Sequence, residues 1–194
     1  MTMARSLVAL AALCAVPTFA SAQGGGFGIK GGLSYGNVSN SGALPGSVTQ
    51  RSGVAIGVSL ATGGAVGFGI EALYAQRGVT SPLAIASRQL DYLDIPVYLR
   101  LAMPSSMVSP FAYAGPQASF ELKCGTSSGN CPDTGRPKAT FAGVIGAGVQ
   151  FGALHGLSLE GRYVYGLTDL KLNTVSTSKS YQTRSFMLLA GIRF

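Results

Sequence analysis

Nine charged side chains occur within runs of alternating polar and apolar residues. They are Lys30, Glu71, Arg77, Asp94, Arg100, Glu121, Glu160, Arg162 and Arg193. Four carboxylates with five cations could form a centre for acid–base chemistry or for transport. They could also form a ladder of salt bridges that fills and neutralises an interior, because buried charges must be paired. We expect the structural role. Its central members should be Glu71, Arg100, Glu160 and Arg162.

Other catalytic and cofactor-binding patterns are weak. A lipid-modifying hydrolase needs a nucleophile beside a base, but the only histidine, His155, lies in a predicted short turn with no obvious partner. Residues 26–31 match G-x-G-x-x-G, yet they follow an export signal and no βαβ unit surrounds them. We therefore expect no catalytic residue, no metal and no cofactor.

Residues 1–22 have the features of a secretory signal peptide. Arg5 is followed by an apolar stretch and then by Ala20-Ser-Ala22, a typical cleavage site. The predicted domain is then 23–194. Only 11% of the residues are charged, against about 25% in soluble domains. No stretch after residue 22 has the roughly 18 apolar residues of a membrane helix, so we expect the chain to span a membrane as strands.

Export places Cys124 and Cys131 in an oxidising compartment. Six residues separate them, and we predict a disulfide; a metal site would require further Cys or a nearby His. The ring would stabilise the fold by about 2–3 kcal/mol on the chain-entropy account. It could be a rigid external knob for a partner, but protection of an exposed loop is the preferred interpretation.

Eight strand-like runs organise the chain. They are 27–36, 52–61, 66–77, 89–101, 110–122, 139–151, 156–168 and 183–194. Long polar connections (37–51, 78–88, 123–138 and 169–182) alternate with short ones (62–65, 102–109 and 152–155). Short periplasmic turns opposite longer external loops are typical of bacterial outer-membrane barrels. The sequence predicts an all-β, eight-stranded antiparallel up-and-down transmembrane barrel.

The two faces of these strands differ in one consistent way. In the fourth strand, Leu93, Ile95 and Val97 alternate with Asp94 and Pro96, and the nine charges fall on the second kind of face. A basic residue facing lipid at the midplane costs about 2–4 kcal/mol, so the charges should face the lumen. A lipocalin, the soluble competitor, would need the opposite arrangement.

The last strand continues this pattern and ends on Phe194. Phe186 and Ile192 fall on the lipid face, whereas Arg193 falls on the lumen face. We predict that this strand pairs with the first to close the barrel, since no edge is left unpaired in lipid. Phe194 should be the aromatic signal that the barrel-assembly machinery reads. Its deletion is expected to impair membrane insertion more than stability.

The net charge of +7 restricts the partners. Export excludes nucleic acid, so outer-membrane lipids and anionic lipopolysaccharide are the expected partners, with an unidentified extracellular or periplasmic partner also open. The predicted external rim is basic: Arg51, Arg88, Lys123, Arg136, Lys138, Lys171, Lys179 and Arg184. Ordinary loop solubility would explain these residues almost as well.

Residues Tyr92-Leu-Asp-Ile-Pro-Val-Tyr-Leu-Arg100 resemble a strand of the outer-membrane β-barrel domain family, which includes PorT-type and OmpA/OmpX-like porin-family proteins. Residues 112–116, 146–149 and 160–167 are similar to its later strands. The resemblance implies an outer-membrane location and says little about substrate. We expect a non-catalytic barrel with a structural or interaction role, external loops and a charged, largely filled lumen. The alternative is a narrow pore for ions or small solutes.

Overall fold

The computed structural model describes residues 25–38, 49–80, 88–126, 129–130, 138–152, 156–167 and 183–194. These residues form nine strands: β1 (Gly26–Val38), β2 (Thr49–Ala61), β3 (Val66–Thr80), β4 (Arg88–Ala102), β5 (Val108–Thr126), β6 (Gly129–Asn130), β7 (Ala139–Phe151), β8 (Leu157–Gly166) and β9 (Thr183–Arg193). No helix in this part of the chain is long and apolar enough to cross a membrane.

The eight long strands form a closed antiparallel barrel, which confirms the predicted fold. Each pairs with the next long strand along the chain, and β9 pairs with β1, for example Gly32 with Leu189. The two-residue β6 pairs with the last two residues of β5, Gly125 and Thr126. Because the long strands close the barrel without an unpaired edge, each strand has one face toward the lumen and one face toward the outside.

The outer surface is apolar and exposed. Large side chains such as Ile56 (55% exposed), Ile145 (58%) and Leu188 (49%) lie on it. Exposed aromatic rings occur near both ends of the wall. Phe27, Phe68 and Phe194 lie at the short-turn end, and Phe120, Phe141, Tyr165 and Phe186 lie toward the other end. An apolar band between two aromatic girdles is the outer surface of a membrane barrel.

The wall is longer than the sequence pattern predicts on the side of the long connections. Strand β5 continues to Thr126, four residues beyond the predicted strand end at 122. A bulge accompanies this extension, because Asp91 pairs with Lys123 and Tyr92 pairs with Glu121, which leaves Leu122 without a partner. Such a bulge shifts the alternation of faces along β5, and both residues opposite it on β4, Asp91 and Tyr92, are buried.

Prolines interrupt the ladders on both sides of β4. The β3–β4 register stops at Ile70↔Val97 and resumes at Leu73↔Asp94, on either side of Pro96. The β4–β5 register has a similar gap opposite Pro116. Proline has no N–H to donate to a ladder, so each gap follows directly from the sequence.

Candidate functional site in the barrel lumen

Four charged side chains meet inside the barrel and are called here the central ion cluster: Lys30 of β1, Glu71 of β3, and Glu160 and Arg162 of β8. Lys30 Nζ donates to Glu71 Oε1 at 2.7 Å and to Glu160 Oε2 at 2.8 Å. Arg162 donates to Glu71 Oε2 and, at 3.0 Å, to Glu160 Oε1. Each residue is at most 7% exposed. Two cations therefore neutralise two buried carboxylates.

Two tyrosines, Tyr98 of β4 and Tyr113 of β5, complete the cluster. Tyr98 Oη donates to Glu71 Oε1 at 2.6 Å, and Tyr113 Oη donates to Glu160 Oε1 at 3.1 Å. The Tyr113 hydroxyl also accepts a bond from Arg162 Nε at 2.8 Å. The two ring centroids lie 4.6 Å apart. The cluster thus joins β1, β3, β4, β5 and β8 across the lumen.

Glycines in the wall make room for these rings. A Cβ atom on Gly69 would lie 2.4 Å from the Tyr98 ring, and one on Gly146 would lie 2.3 Å from the Tyr113 ring. Neither position tolerates a side chain while the tyrosine keeps its place. The glycines at these two points therefore leave the space that the tyrosine rings occupy.

We expect Gly146→Ala to lower the free energy of unfolding by about 1–3 kcal/mol, the usual effect of overpacking. Gly143→Ala is the matched control on the same strand, because nothing lies within 4 Å of its added Cβ. The folded fraction of each variant across a denaturant titration measures the difference. Equal stability of the two variants would show that the Tyr113 ring moves aside freely.

An apolar layer lies next to the cluster on the side of the long connections. Leu73 follows Glu71 by two residues and Val164 follows Arg162 by two, so both point inward. Val164 pairs with Val144, and Arg162 pairs with Met187. All four apolar side chains are at most 3% exposed. The buried polar residues Ser34, Ser185 and Asp94 pair with members of this layer, so apolar and polar side chains fill this part of the lumen together.

Next to this layer, a second ion pair lies toward the long connections. Arg77 of β3 donates to Asp94 of β4, and its guanidinium carbon lies 5.3 Å from the centroid of the Tyr92 ring. Beside it, Gln117 Nε2 donates to Ser119 Oγ at 3.0 Å. Asp94, Gln117 and Ser119 are at most 1% exposed. This level of the lumen is polar and electrically balanced.

Two arginines lie at the short-turn end of the lumen. Arg100 Nη2 and Arg193 Nη1 each donate to Gln150 Oε1 at 3.1 Å. The Arg100 guanidinium also stacks on Phe111, with its central carbon 4.6 Å from the ring centroid. The sequence interpretation grouped Arg100 with the central charges, and this was wrong. Arg100 is third from the end of β4, and Lys30 takes that central place.

The remaining predicted residues lie near the ends of the wall or outside the described residues. Glu121 is half-buried, and its N–H donates to the Lys138 carbonyl at 2.8 Å. Phe194 is 74% exposed, and its N–H donates to the Phe27 carbonyl at 2.7 Å. Its role as an assembly signal stays a prediction. Residues 1–22 and His155 lie outside the described residues, so the signal peptide also stays a prediction.

Cys124 is buried at the outer end of β5, whereas Cys131 lies outside the described residues. The disulfide between them stays a prediction. Within the described ranges, no group of three or more His, Cys, Asp and Glu could hold a metal ion.

Five hydrogen-bonding side chains of these networks were missed as site residues at the sequence level: Tyr98, Tyr113, Gln117, Ser119 and Gln150. All five are buried or half-buried in the folded barrel. Tyrosine and glutamine at such positions signal hydrogen-bond partners for buried charges, because buried polar groups are rarely left unsatisfied.

Comparison with known proteins gives a family and a fold. The model of a family described as "Outer membrane protein beta-barrel domain" matches residues 6–194. No curated protein sequence matches the chain.

Three solved structures are similar to this barrel. Neisserial surface protein A is 14% identical, with a TM-score of 0.53 over 87% of this chain and 97% of that one. Ail of Yersinia pestis, in complex with the heparin analogue sucrose octasulfate, is 17% identical, with a TM-score of 0.51 over 88% and 99%. OprG of Pseudomonas aeruginosa is 12% identical, with a TM-score of 0.51 over 89% and 97%. At these identities the likeness concerns the fold alone.

Proposed function

The chain belongs to the outer membrane protein β-barrel domain family and is a bacterial outer-membrane barrel, and from that premise we propose a non-catalytic, non-conducting role. In this proposal the barrel anchors its external segments at the cell surface. The central ion cluster carries the argument, because side chains from five strands meet across an interior that is just wide enough for side chains in an eight-stranded barrel.

The bonding of the carboxylates supports the absence of catalysis. Glu71 and Glu160 accept hydrogen bonds on both of their oxygens, from Lys30, Arg162 and the two tyrosines. A general base must reach the proton that it abstracts. These carboxylates are at most 5% exposed and are committed to neutralising cations, so their role is structural.

Planar-bilayer recording tests the filled lumen. The folded protein should give no stepwise current if, as we propose, buried side chains such as those of the central ion cluster fill the lumen. A porin incorporated into the same bilayers is the positive control, and the gel mobility of unboiled samples verifies folding. Reproducible unitary currents would instead establish the narrow pore for ions or small solutes.

The proposed external partner is lipopolysaccharide. Lys123, Lys138 and Arg184 are exposed at the end of the wall that carries the long connections, which is extracellular in outer-membrane barrels. The similar barrel of Ail has been crystallised with a sulfated heparin analogue, so this fold is compatible with anionic ligands.

A Lys123→Gln/Arg184→Gln double variant should bind lipopolysaccharide more weakly than the wild type. The difference should shrink as added salt screens exposed charges. Flotation of the folded protein with lipopolysaccharide vesicles measures both effects, and Lys30→Gln, which removes an internal charge, is the control. Equal flotation of the double variant and the wild type would show that Lys123 and Arg184 do not contribute to lipopolysaccharide binding.

A further inference from the structure

The outer face of the wall contains a groove where β1 and β9 meet to close the barrel. Its volume is about 340 Å³, which lies within the range of about 300–1,000 Å³ that small-molecule pockets occupy. Gly31 and Ala190 pair directly with each other across these two strands, and both line the groove. Because neither residue has a side chain larger than a methyl group, they form a low floor in the outer surface.

Large apolar side chains surround this floor. On β2, Ile56 pairs with the glycine, and on β8, Leu159 pairs with the alanine. On the short-turn side, Ile29 of β1 pairs with Ile192 of β9. All four side chains are between 46% and 55% exposed, so they project from the wall around the two small residues and give the groove its depth.

The chemistry of the groove is that of a hydrocarbon surface. Among the described residues that line it, only Lys30 is charged, and its ammonium is bound to Glu71 and Glu160 inside the lumen. The other lining residues are Gly, Ala, Ile, Leu and Phe. A polar or charged headgroup would find no partner there and would lose its hydration, whereas an alkyl chain gains dispersion contacts with every lining side chain.

The groove is continuous with the lipid-facing surface of the barrel. Ile29, Ile56 and Ile192 belong to the exposed apolar band between the two aromatic girdles. From the Gly31–Ala190 pair the lining extends to Phe194, which lies in the girdle at the short-turn end. Short turns are periplasmic in outer-membrane barrels, so the hydrocarbon beside this groove belongs to the periplasmic leaflet.

We propose that the groove holds one acyl chain of a phospholipid of the periplasmic leaflet. An unfilled groove would forgo the dispersion contacts of its lining, and the surrounding membrane supplies alkyl chains that can make them. The site is independent of the lipopolysaccharide binding proposed above, because the basic rim lies at the opposite end of the wall. Loss of either one would leave the other unaffected.

The test uses the folded mature chain in uncharged detergent, mixed with phosphatidylethanolamine and studied by native mass spectrometry. The wild type should retain one phospholipid. Gly31→Leu should lose this adduct, because the leucine side chain would occupy the floor of the groove. An added Cβ at this position meets only the Ala55 carbonyl oxygen, at 3.8 Å, so the wall has room for the change. Gly143→Leu, an outer-face glycine of β7 with nothing within 4 Å of its added Cβ, is the matched control and should keep the adduct.

Two further probes separate the chain from the headgroup. Lysophosphatidylethanolamine, which has one acyl chain, should also be retained, whereas glycerophosphoethanolamine, which has none, should not. Ala190→Leu serves if Gly31→Leu does not fold, and it should also lose the adduct. Absence of an adduct on the wild type, retention of the chainless probe, or equal retention by the wild type and the groove variants would overturn the proposal. A dimer that dissociates in the groove variants would also overturn it, because a second copy of the chain would then occupy the groove.

Discussion

Replacing Arg162 by Met should lower the free energy of unfolding by about 3–5 kcal/mol, the effect of removing one partner from a buried ion pair. Arg162 is 1% exposed and donates to Glu71, Glu160 and Tyr113. Without it, two buried carboxylates share the single ammonium of Lys30. Because total stability is typically about 5–15 kcal/mol, this one change removes a large part of it.

A second variant separates the charge effect from lost packing. Arg162→Met/Glu71→Gln leaves Lys30 paired with Glu160, so the cluster is neutral again. We expect the double variant to be more stable than Arg162→Met alone, which is a coupling between two contacting residues. Arg184→Gln, which changes an exposed arginine at the start of β9, is the control and should change stability by no more than about 0.5 kcal/mol.

The chain contains no tryptophan, so the folded fraction is best measured from the gel mobility of unboiled samples across a urea titration. An Arg162→Met variant as stable as the wild type would mean that the cluster does not hold the strands together. A double variant less stable than Arg162→Met would mean that the remaining hydrogen bonds of Glu71 stabilise the fold by more than its unpaired charge destabilises it.

The orientation of the strands was predictable from the sequence because its cause is local. Side chains alternate between the two faces of a strand, and one misplaced charge in lipid is costly, so Glu71, Asp94 and Arg162 could only face inward. The closing pair of β1 and β9 followed from the need to leave no edge in lipid. The structure confirms the barrel and this pairing.

The contacts across the lumen were less predictable, because they depend on the stagger of the strands and not on position within one strand. Glu71 and Arg162 are 91 residues apart and yet share a bond. Arg100 was predicted to be central but lies with Arg193 and Gln150 at the short-turn end. Strand stagger and tilt are properties of the closed barrel as a whole.

The content of the lumen was also only partly predictable. The sequence interpretation emphasised small and charged residues on the inner face. In the folded barrel, Leu73, Val164 and Met187 form an apolar layer beside the cluster. The alternation already puts these residues on the inner face, but how they pack into one layer depends on the position of the neighbouring strands.

Replacing Ile145 by Arg should lower the free energy of unfolding in lipid bilayers by about 2–4 kcal/mol. Ile145 lies at the middle of β7, is 58% exposed, and pairs with Ala114 and Tyr163 of the adjacent strands. In the surface of a water-soluble protein, a charge at so exposed a position would be nearly neutral, within about 0.5 kcal/mol. The expected loss therefore arises from contact with hydrocarbon.

Met107→Arg is the matched control for this change. Met107 is 74% exposed but lies in the short connection between β4 and β5, beyond the spanning part of the wall. The same charge should be tolerated there, because the side chain reaches water. Both variants are compared by urea titration in phospholipid vesicles, where the hydrocarbon thickness is defined. If Ile145→Arg lowered the free energy of unfolding no more than Met107→Arg, the middle of β7 would lie outside the hydrocarbon layer. The aromatic girdles would then not mark the two membrane interfaces.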